Sequence, residues 1–62
     1  MCLSTVYKNQ KEEASVIMRN VMKLECKDGN VILTDLMDRT VTIEGTLIQA
    51  NLVDGFVIVK EN

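Results

Sequence analysis

Short runs of hydrophobic residues, separated by turn-forming residues, make up most of this 62-residue chain. Residues 40–44 alternate polar and apolar side chains, residues 47–53 place Ile48, Ala50 and Leu52 on one face, and residues 2–7 and 31–36 are two further runs of strand length. Side chains of a strand point to opposite faces in turn, so the alternation predicts strands with one buried face. The last run, residues 56–59, is apolar at every position, which predicts that the core covers one face and a partner such as a second subunit covers the other.

Two Asp-Gly pairs, Asp28-Gly29 and Asp54-Gly55, separate these runs and predict tight hairpin turns, because such turns need residues that tolerate positive φ. Residues 37–39 predict a further turn, and Gly45 permits a bend or a bulge. Five or six short antiparallel strands result. They predict an all-β fold, a small barrel or roll of the SH3-like kind, in one domain over residues 1–62.

The segment from residue 14 to residue 27 changes its period part of the way along. Its first half has apolar residues at helical spacing, and we expect a turn or a loose helical piece near residues 15–20. Met22, Leu24 and Cys26 then alternate with charged residues, which predicts a strand with these three side chains directed inward. Cys26 is therefore expected in the core.

Chain length and hydrophobic content predict a subunit interface, and the distribution of apolar residues predicts a cellular location. A chain of this length buries only about 60% of its unfolded surface, and small domains of this size often depend on a metal, a disulfide or a partner. Here 47% of residues are hydrophobic but only one Phe and one Tyr are present, so we expect part of the apolar surface to lie within a symmetric homodimer. No run approaches the roughly 20 apolar residues of a membrane span, and no signal peptide is apparent, so we expect a cytoplasmic protein with reduced cysteines.

The residues that usually carry catalysis are mostly absent. The sequence has no His, only three Gly and no CxxC spacing, which excludes imidazole bases and imidazole metal sites and argues against a phosphate-binding loop or a redox pair. The carboxylates are expected at turns or on outward strand positions, in solvated or turn-capping roles: Asp28, Asp35, Asp38, Glu44 and Asp54. The chain is therefore predicted not to be an enzyme.

The charge pattern offers little attraction to phosphate. Seven basic residues are scattered among nine acidic ones, for a net charge of −2, whereas nucleic-acid binding usually shows a basic excess or a dense basic patch. Only Tyr7 and Phe56 could stack on bases, and both are expected in the core. We therefore expect no binding to nucleic acid or to a membrane.

The N-terminal residues Met1-Cys2-Leu3 are the candidate metal site. If Met1 is removed, the amine and thiolate of Cys2 and the amide nitrogen of Leu3 can chelate one metal ion. If Met1 is retained, its amine, the Cys2 amide nitrogen and the Cys2 thiolate offer a similar set. Donors in one plane suit Ni(II) or Cu(II) better than tetrahedral zinc. The alternative is that Cys2 is a small buried residue on the first strand.

Several stretches together resemble a known protein family. These are Met1-Cys2-Leu3, residues 17–21, the Asp28-Gly29-Asn30 hairpin, and residues 31–36 and 41–45. The resemblance, which covers essentially the full length, is to the CooT family of small nickel-binding proteins associated with the maturation of carbon monoxide dehydrogenase. Members of this family are also catalogued as predicted RNA-binding proteins.

The resemblance implies an SH3-like barrel that forms homodimers and binds Ni(II) through Cys2 near the dimer interface. Cys26 matches no ligand of the family. The leading hypothesis is a dimeric nickel carrier, or metallochaperone, that delivers Ni(II) to carbon monoxide dehydrogenase or a related nickel enzyme. The alternatives are a small RNA- or protein-binding SH3-like module, and a structural subunit without a ligand.

Overall fold

A computed structural model describes residues 3–62 as five strands and one short 3-10 turn. Cys2, the predicted metal ligand, therefore lies outside the described residues. The elements, in chain order, are β1 (Ser4–Lys8), the 3-10 turn (Glu13–Ser15), β2 (Val16–Lys27), β3 (Asn30–Asp35), β4 (Thr40–Asn51) and β5 (Phe56–Glu61).

The five strands form a closed barrel in the order β1-β2-β3-β4-β5, which confirms the predicted fold class. Consecutive strands pair antiparallel, but β5 closes the barrel by pairing parallel with β1. The sequence pattern predicted antiparallel pairing throughout. The parallel pair follows from the odd number of strands, because the first and fifth strands of an up-and-down order run in the same direction.

The two long strands, β2 and β4, each pair with one neighbouring strand along their first part and with another along their second part. Residues 40–44 of β4 pair with β3, and the strand then pairs with β5 from Gly45 onward. At this corner a Cβ atom on Gly45 would collide with the main-chain carbonyl of Lys60. Gly45 therefore provides the predicted bend by allowing two backbones to approach closely, while the irregular register lies later, between Leu47 and Gln49.

Small aliphatic side chains fill the barrel. Each contributes about 1.5–3 kcal/mol when fully buried, so the core is built from many modest contributions. The buried cluster consists of Val6, Val21, Val31, Leu33, Ile43, Val57 and Val59.

Both predicted Asp-Gly turns are present. Asp28 and Gly29 have φ values of 51° and 80°, the pair of positive φ angles that a two-residue hairpin turn requires. Gly55 has φ of 75° in the turn that connects β4 to β5. Positive φ is therefore the physical reason for glycine at both positions.

The prediction of a helical piece near residues 15–20 is wrong. Helical geometry is confined to the 3-10 turn, and residues 16–27 are one continuous strand. Asn20, with φ of 56°, and a register shift between Val21 and Lys23 interrupt the alternation of this strand. This irregularity changes which side chains face inward. The apolar residues are therefore spaced as in a helix although the segment is a strand.

Cys26 is exposed, so its predicted place in the core is also wrong. It lies opposite the buried Val31, and directly opposed residues share a face of the sheet. However, β3 has a paired strand on each side, whereas the described part of β1 pairs with β2 only as far as Val21. The end of β2 that carries Cys26 therefore extends beyond the covered core.

The apolar character of β5 is explained largely within the chain. Val57 and Val59 face the core, and Phe56 is buried on the other face. The ring of Tyr7 meets Phe56 edge to face at 6.4 Å, and Lys11 Nζ lies 4.4 Å from the centroid of the Phe56 ring. The outer face of β5 is thus partly covered without a second subunit.

Candidate functional site

The start of β1 and the preceding Leu3 contact the turn between β4 and β5. The N–H of Thr5 donates to the carbonyl oxygen of Gly55 at 3.0 Å. A Cβ atom on Gly55 would lie 3.5 Å from the carbonyl oxygen of Leu3, so the two backbones are in contact there as well. Cys2, the candidate metal ligand, therefore immediately precedes Leu3, whose backbone contacts this turn.

The β4–β5 turn, residues 51–55, is itself held by a local hydrogen-bond network. The Asn51 side-chain oxygen accepts the N–H groups of Val53 at 3.1 Å and Asp54 at 2.9 Å. The N–H of Gly55 donates to the Asn51 carbonyl at 2.9 Å, and Asn51 Nδ2 donates to Asp54 Oδ2 at 3.0 Å. An Asn side chain that bonds the backbone two and three residues ahead is a strong turn-forming device. The turn that contacts Leu3 and Thr5 is thus held in place by its own hydrogen bonds.

Within residues 3–62, no three Cys, Asp or Glu side chains come together in a group that could hold a metal ion. Cys26 lies opposite Val31, near the hairpin at the other end of β2 from the β1 contact. The described part of the chain therefore supplies no preformed metal centre, and the donors of residues 1 and 2 remain the candidate.

Asp35 is the one buried charged residue of the described chain, with 2% of its surface exposed. Oδ1 accepts the N–H groups of Met37 and Arg39, each at 2.9 Å, and Oδ2 accepts Arg39 Nε at 2.8 Å. The Arg39 N–H lowers the pKa of Asp35; burial acts in the opposite direction, and the Arg39 guanidinium and the Met37 N–H lower the pKa further. Asp35 thus has the predicted turn-capping role but not the predicted exposed position.

Four of the seven basic side chains are paired with carboxylates. Lys8 contacts Glu61 at 3.3 Å, Lys23 contacts Glu25 at 3.5 Å, and Arg19 and Arg39 pair with Glu13 and Asp35 at 2.7 and 2.8 Å: these are the four ion pairs of residues 3–62. Phe56, one of two aromatic rings that could stack on a base, is buried. Within residues 3–62, four of the seven basic side chains are therefore paired with a carboxylate, and the Phe56 ring is not open for stacking on a base.

An apolar groove of about 300 Å³ opens between the second halves of β2 and β4. We call it the β2/β4 groove; its apolar lining is Val21, Met22, Leu24, Leu47, Ala50, Leu52 and Val57. Ser4, two residues from Cys2, also lines it. Sequence reasoning missed this groove, because its lining comes from β1, β2, β4, β5 and the β4–β5 turn, which are distant in sequence.

No helix among the described residues is long and apolar enough to cross a membrane. The barrel and its N-terminal segment define a small all-β protein whose candidate chemistry lies at the chain end. A family model described as CO dehydrogenase accessory protein CooT matches residues 1–60. The chain belongs to the CooT family, and its class is that of an accessory protein for CO dehydrogenase.

A solved structure supports the fold. The crystal structure of a protein described as CooT from Carboxydothermus hydrogenoformans matches with a TM-score of 0.84 and covers 98% of each chain. Sequence identity is 18%, so this likeness shows the fold alone. A search of curated proteins finds no match to this chain.

Proposed function

We propose that this protein is a dimeric Ni(II) carrier that binds nickel through Cys2 and delivers it during the maturation of CO dehydrogenase. The accessory role of the family supplies the biological setting. The observation that carries the proposal is the bond from the N–H of Thr5 to the carbonyl oxygen of Gly55, which attaches the start of β1, three residues after Cys2, to the β4–β5 turn. The lack of a metal-ligand group within residues 3–62 is compatible with a site formed by the N-terminal residues.

The N-terminal position suits a carrier. The Cys2 thiolate and nearby main-chain nitrogens supply only a few donors from one chain, and a dimer can add a second Cys2. A site built from so few groups leaves room for ligands of the receiving enzyme to approach the metal. Nickel can then pass from one set of ligands to the other without being released into water.

The decisive experiment is a Ni(II) titration of the metal-free protein, monitored by thiolate-to-nickel absorption. The wild type is expected to saturate at one nickel per dimer. Cys2→Ser should lose the absorption and bind at least about a hundredfold more weakly, since a thiolate ligand is removed. Cys26→Ser is the matched control, because Cys26 is exposed and should leave binding unchanged. Full nickel affinity in Cys2→Ser would end the proposal.

A second variant separates the amine from the thiolate. Insertion of Gly-Ser between Met1 and Cys2 retains the thiol but moves the terminal amine away from it. A site that uses the amine should then lose affinity while retaining part of the thiolate absorption. Unchanged affinity would leave the thiolate in place and remove the amine from the proposed donor set.

The alternative function is binding of a protein through the barrel surface, which the β2/β4 groove favours over binding of RNA. Fluorescence anisotropy with labelled single-stranded RNA tests the RNA version directly. Binding that falls steeply with salt and persists in Cys2→Ser would favour RNA. The paired basic residues lead us to expect no such binding.

A further inference from the structure

A second recess, of about 480 Å³, lies between the first half of β2 and the start of β4. We call it the arginine cleft. Its polar lining is Arg19, Asn20, Asp35 and Arg39. Its apolar lining is Ile17, Met18 and Val41. None of these residues lines the described part of the β2/β4 groove, so the two surfaces are separate and can be occupied independently.

The cleft is open because β2 changes its pairing partner at Val21. Before that residue β2 pairs with β1, and from Val21 onward it pairs with β3. Residues 16–20 therefore have a second edge to which no strand among residues 3–62 is paired. The N–H of Leu36 donates to the carbonyl oxygen of Asn20 at 2.9 Å, which joins the β3–β4 turn to β2 beside the cleft.

Arg39 is held in the cleft by the buried carboxylate of Asp35. Only 2% of the Asp35 surface is exposed, and its Oδ2 accepts Arg39 Nε at 2.8 Å. That bond uses one N–H of the guanidinium and leaves the terminal Nη nitrogens outside it. Since 75% of the Arg39 side chain is exposed, these nitrogens can contact a ligand while Asp35 restrains the group. A group restrained in this way loses less freedom when it binds.

Arg19, on the β2 side of the cleft, has a partner that a ligand can replace. Arg19 Nη2 lies 2.7 Å from Glu13 Oε1, and 55% and 84% of the two side chains are exposed. Exposed ion pairs of this kind are weak, so a carboxylate from another molecule can take the place of Glu13. Glu13 is thus an internal competitor for Arg19.

We propose that the arginine cleft binds an acidic segment of a partner protein, with Arg19 and Arg39 as its carboxylate contacts. Two Arg and one Asp line the cleft, so the lining is net positive although the whole chain has a net charge of −2. A guanidinium can bind a carboxylate through two parallel hydrogen bonds. Binding of the segment is independent of nickel, and only the identification of the partner with a nickel-receiving enzyme rests on the proposed function.

The apolar surface favours a protein segment over a nucleic acid. No aromatic side chain is among the lining residues of the cleft, so a base would find no ring to stack on. Leu36 and Met37, which lie between Asp35 and Arg39 in sequence, are 55% and 73% exposed and extend the apolar surface beside the cleft. An acidic segment that carries an apolar side chain between its carboxylates would use both kinds of contact.

The test is fluorescence anisotropy of metal-free protein with the labelled peptide Glu-Glu-Leu-Glu-Glu. The uncharged peptide Gln-Gln-Leu-Gln-Gln should not bind. Arg19→Gln should weaken binding of the acidic peptide by about tenfold, since a hydrogen bond between charged groups is lost. Lys27→Gln is the matched control, because Lys27 is exposed, does not line the cleft and carries the same charge as Arg19. This variant should bind as the wild type does.

A second pair of variants tests the competitor. Glu13→Gln should strengthen binding by about threefold, because it releases Arg19 from its ion pair. Glu25→Gln changes the net charge equally and releases Lys23 from an exposed pair at 3.5 Å, but Lys23 lies outside the cleft. It should therefore leave binding unchanged. Circular dichroism should show that all these variants remain folded.

The inference would be overturned by a wild type that does not bind the acidic peptide, or by Arg19→Gln binding it as tightly as the wild type. Equal effects of Glu13→Gln and Glu25→Gln would assign binding to net charge and also contradict it. Labelled single-stranded RNA that binds through Arg19 more tightly than the peptide would assign the cleft to phosphate instead.

The nickel proposal fails separately from this one. Cys2→Ser leaves the cleft intact, so it should bind the acidic peptide as the wild type does. Peptide binding that depends on Arg19, in a protein that binds no nickel, would support the cleft and contradict the carrier function. Nickel binding by a protein that does not bind the peptide would have the opposite meaning.

Discussion

The N–H of Thr5 and the carbonyl oxygen of Gly55 are joined by a hydrogen bond of 3.0 Å, which attaches the start of β1 to the turn before β5. Gly55 adopts a φ of 75°, where an L-residue with a side chain is strained. The backbone of the β4–β5 turn and the position of the N-terminal segment are therefore coupled.

Gly55→Ala should lower the free energy of unfolding by about 1–2 kcal/mol and should weaken nickel binding. Gly29→Ala is the matched control, because Gly29 has φ of 80° and open space around its Cβ position. Both variants should lose similar stability in urea titrations, but only Gly55→Ala should reduce the affinity for nickel. Equal effects on nickel would show that the turn does not support the site.

Gly45→Ala should destabilise the barrel more strongly than either of these substitutions. Its added methyl group would collide with the main-chain carbonyl of Lys60, and a backbone atom cannot move aside as a flexible side chain can. We expect a loss of about 2 kcal/mol or more in the free energy of unfolding. A urea midpoint equal to that of the wild type would show that β4 and β5 can separate at this corner without cost.

Acid should remove a stabilising contribution from Asp35. Its pKa is lowered in the folded state, so the contribution is complete above the unfolded pKa, near 3.9, and is lost as pH falls through the folded value. Thermal midpoints of the wild type should therefore fall below about pH 4. Asp35→Asn should be less stable at pH 7 and should show a smaller decline between pH 4 and pH 2. An unchanged decline would assign the acid sensitivity to other carboxylates.

Nickel binding should release protons. A thiol must lose its proton before it coordinates the metal, so affinity should decrease as pH decreases. Calorimetric titrations in buffers with different ionisation enthalpies measure the number of protons released. The expected value is about one or more per nickel in the wild type, and it should fall in Cys2→Ser. No difference between the two proteins would contradict a Cys2 thiolate ligand.

Much of the fold could be predicted from the sequence because its strongest signals are local. Asp-Gly pairs tolerate positive φ, so the sequence predicts turns at residues 28–29 and 54–55, and Asp28, Gly29 and Gly55 adopt positive φ in turns of the structure. Cys26 was assigned to the wrong environment because alternation gives the face of a strand but not where the core ends. Whether the core covers the Cys26 side chain depends on which strands pair beside the end of β2, and the residues near Cys26 in sequence do not determine that pairing.

For the candidate site too, the local features could be predicted from the sequence and the long-range contacts could not. The chemistry of Cys2 is a property of its residue type, and it could be proposed from the first three residues. The bond between Thr5 and Gly55, near the candidate site, joins two residues distant in sequence, and no periodicity indicates that contact. Buried Asp35 was missed for a related reason: its partner Arg39 is close in sequence, but its burial depends on the packing of the barrel.

The parallel pairing of β1 with β5 also affects the order of folding. Thr5 pairs with Phe56, about fifty residues later, whereas the β2–β3 hairpin joins near neighbours. Closing a short hairpin takes microseconds, but a contact between distant segments must overcome a larger loss of chain entropy. We therefore expect barrel closure to come late in folding. Until β5 docks, the Thr5–Gly55 bond at the start of β1 cannot form, so the backbone next to the proposed nickel site takes its final position only when the barrel closes.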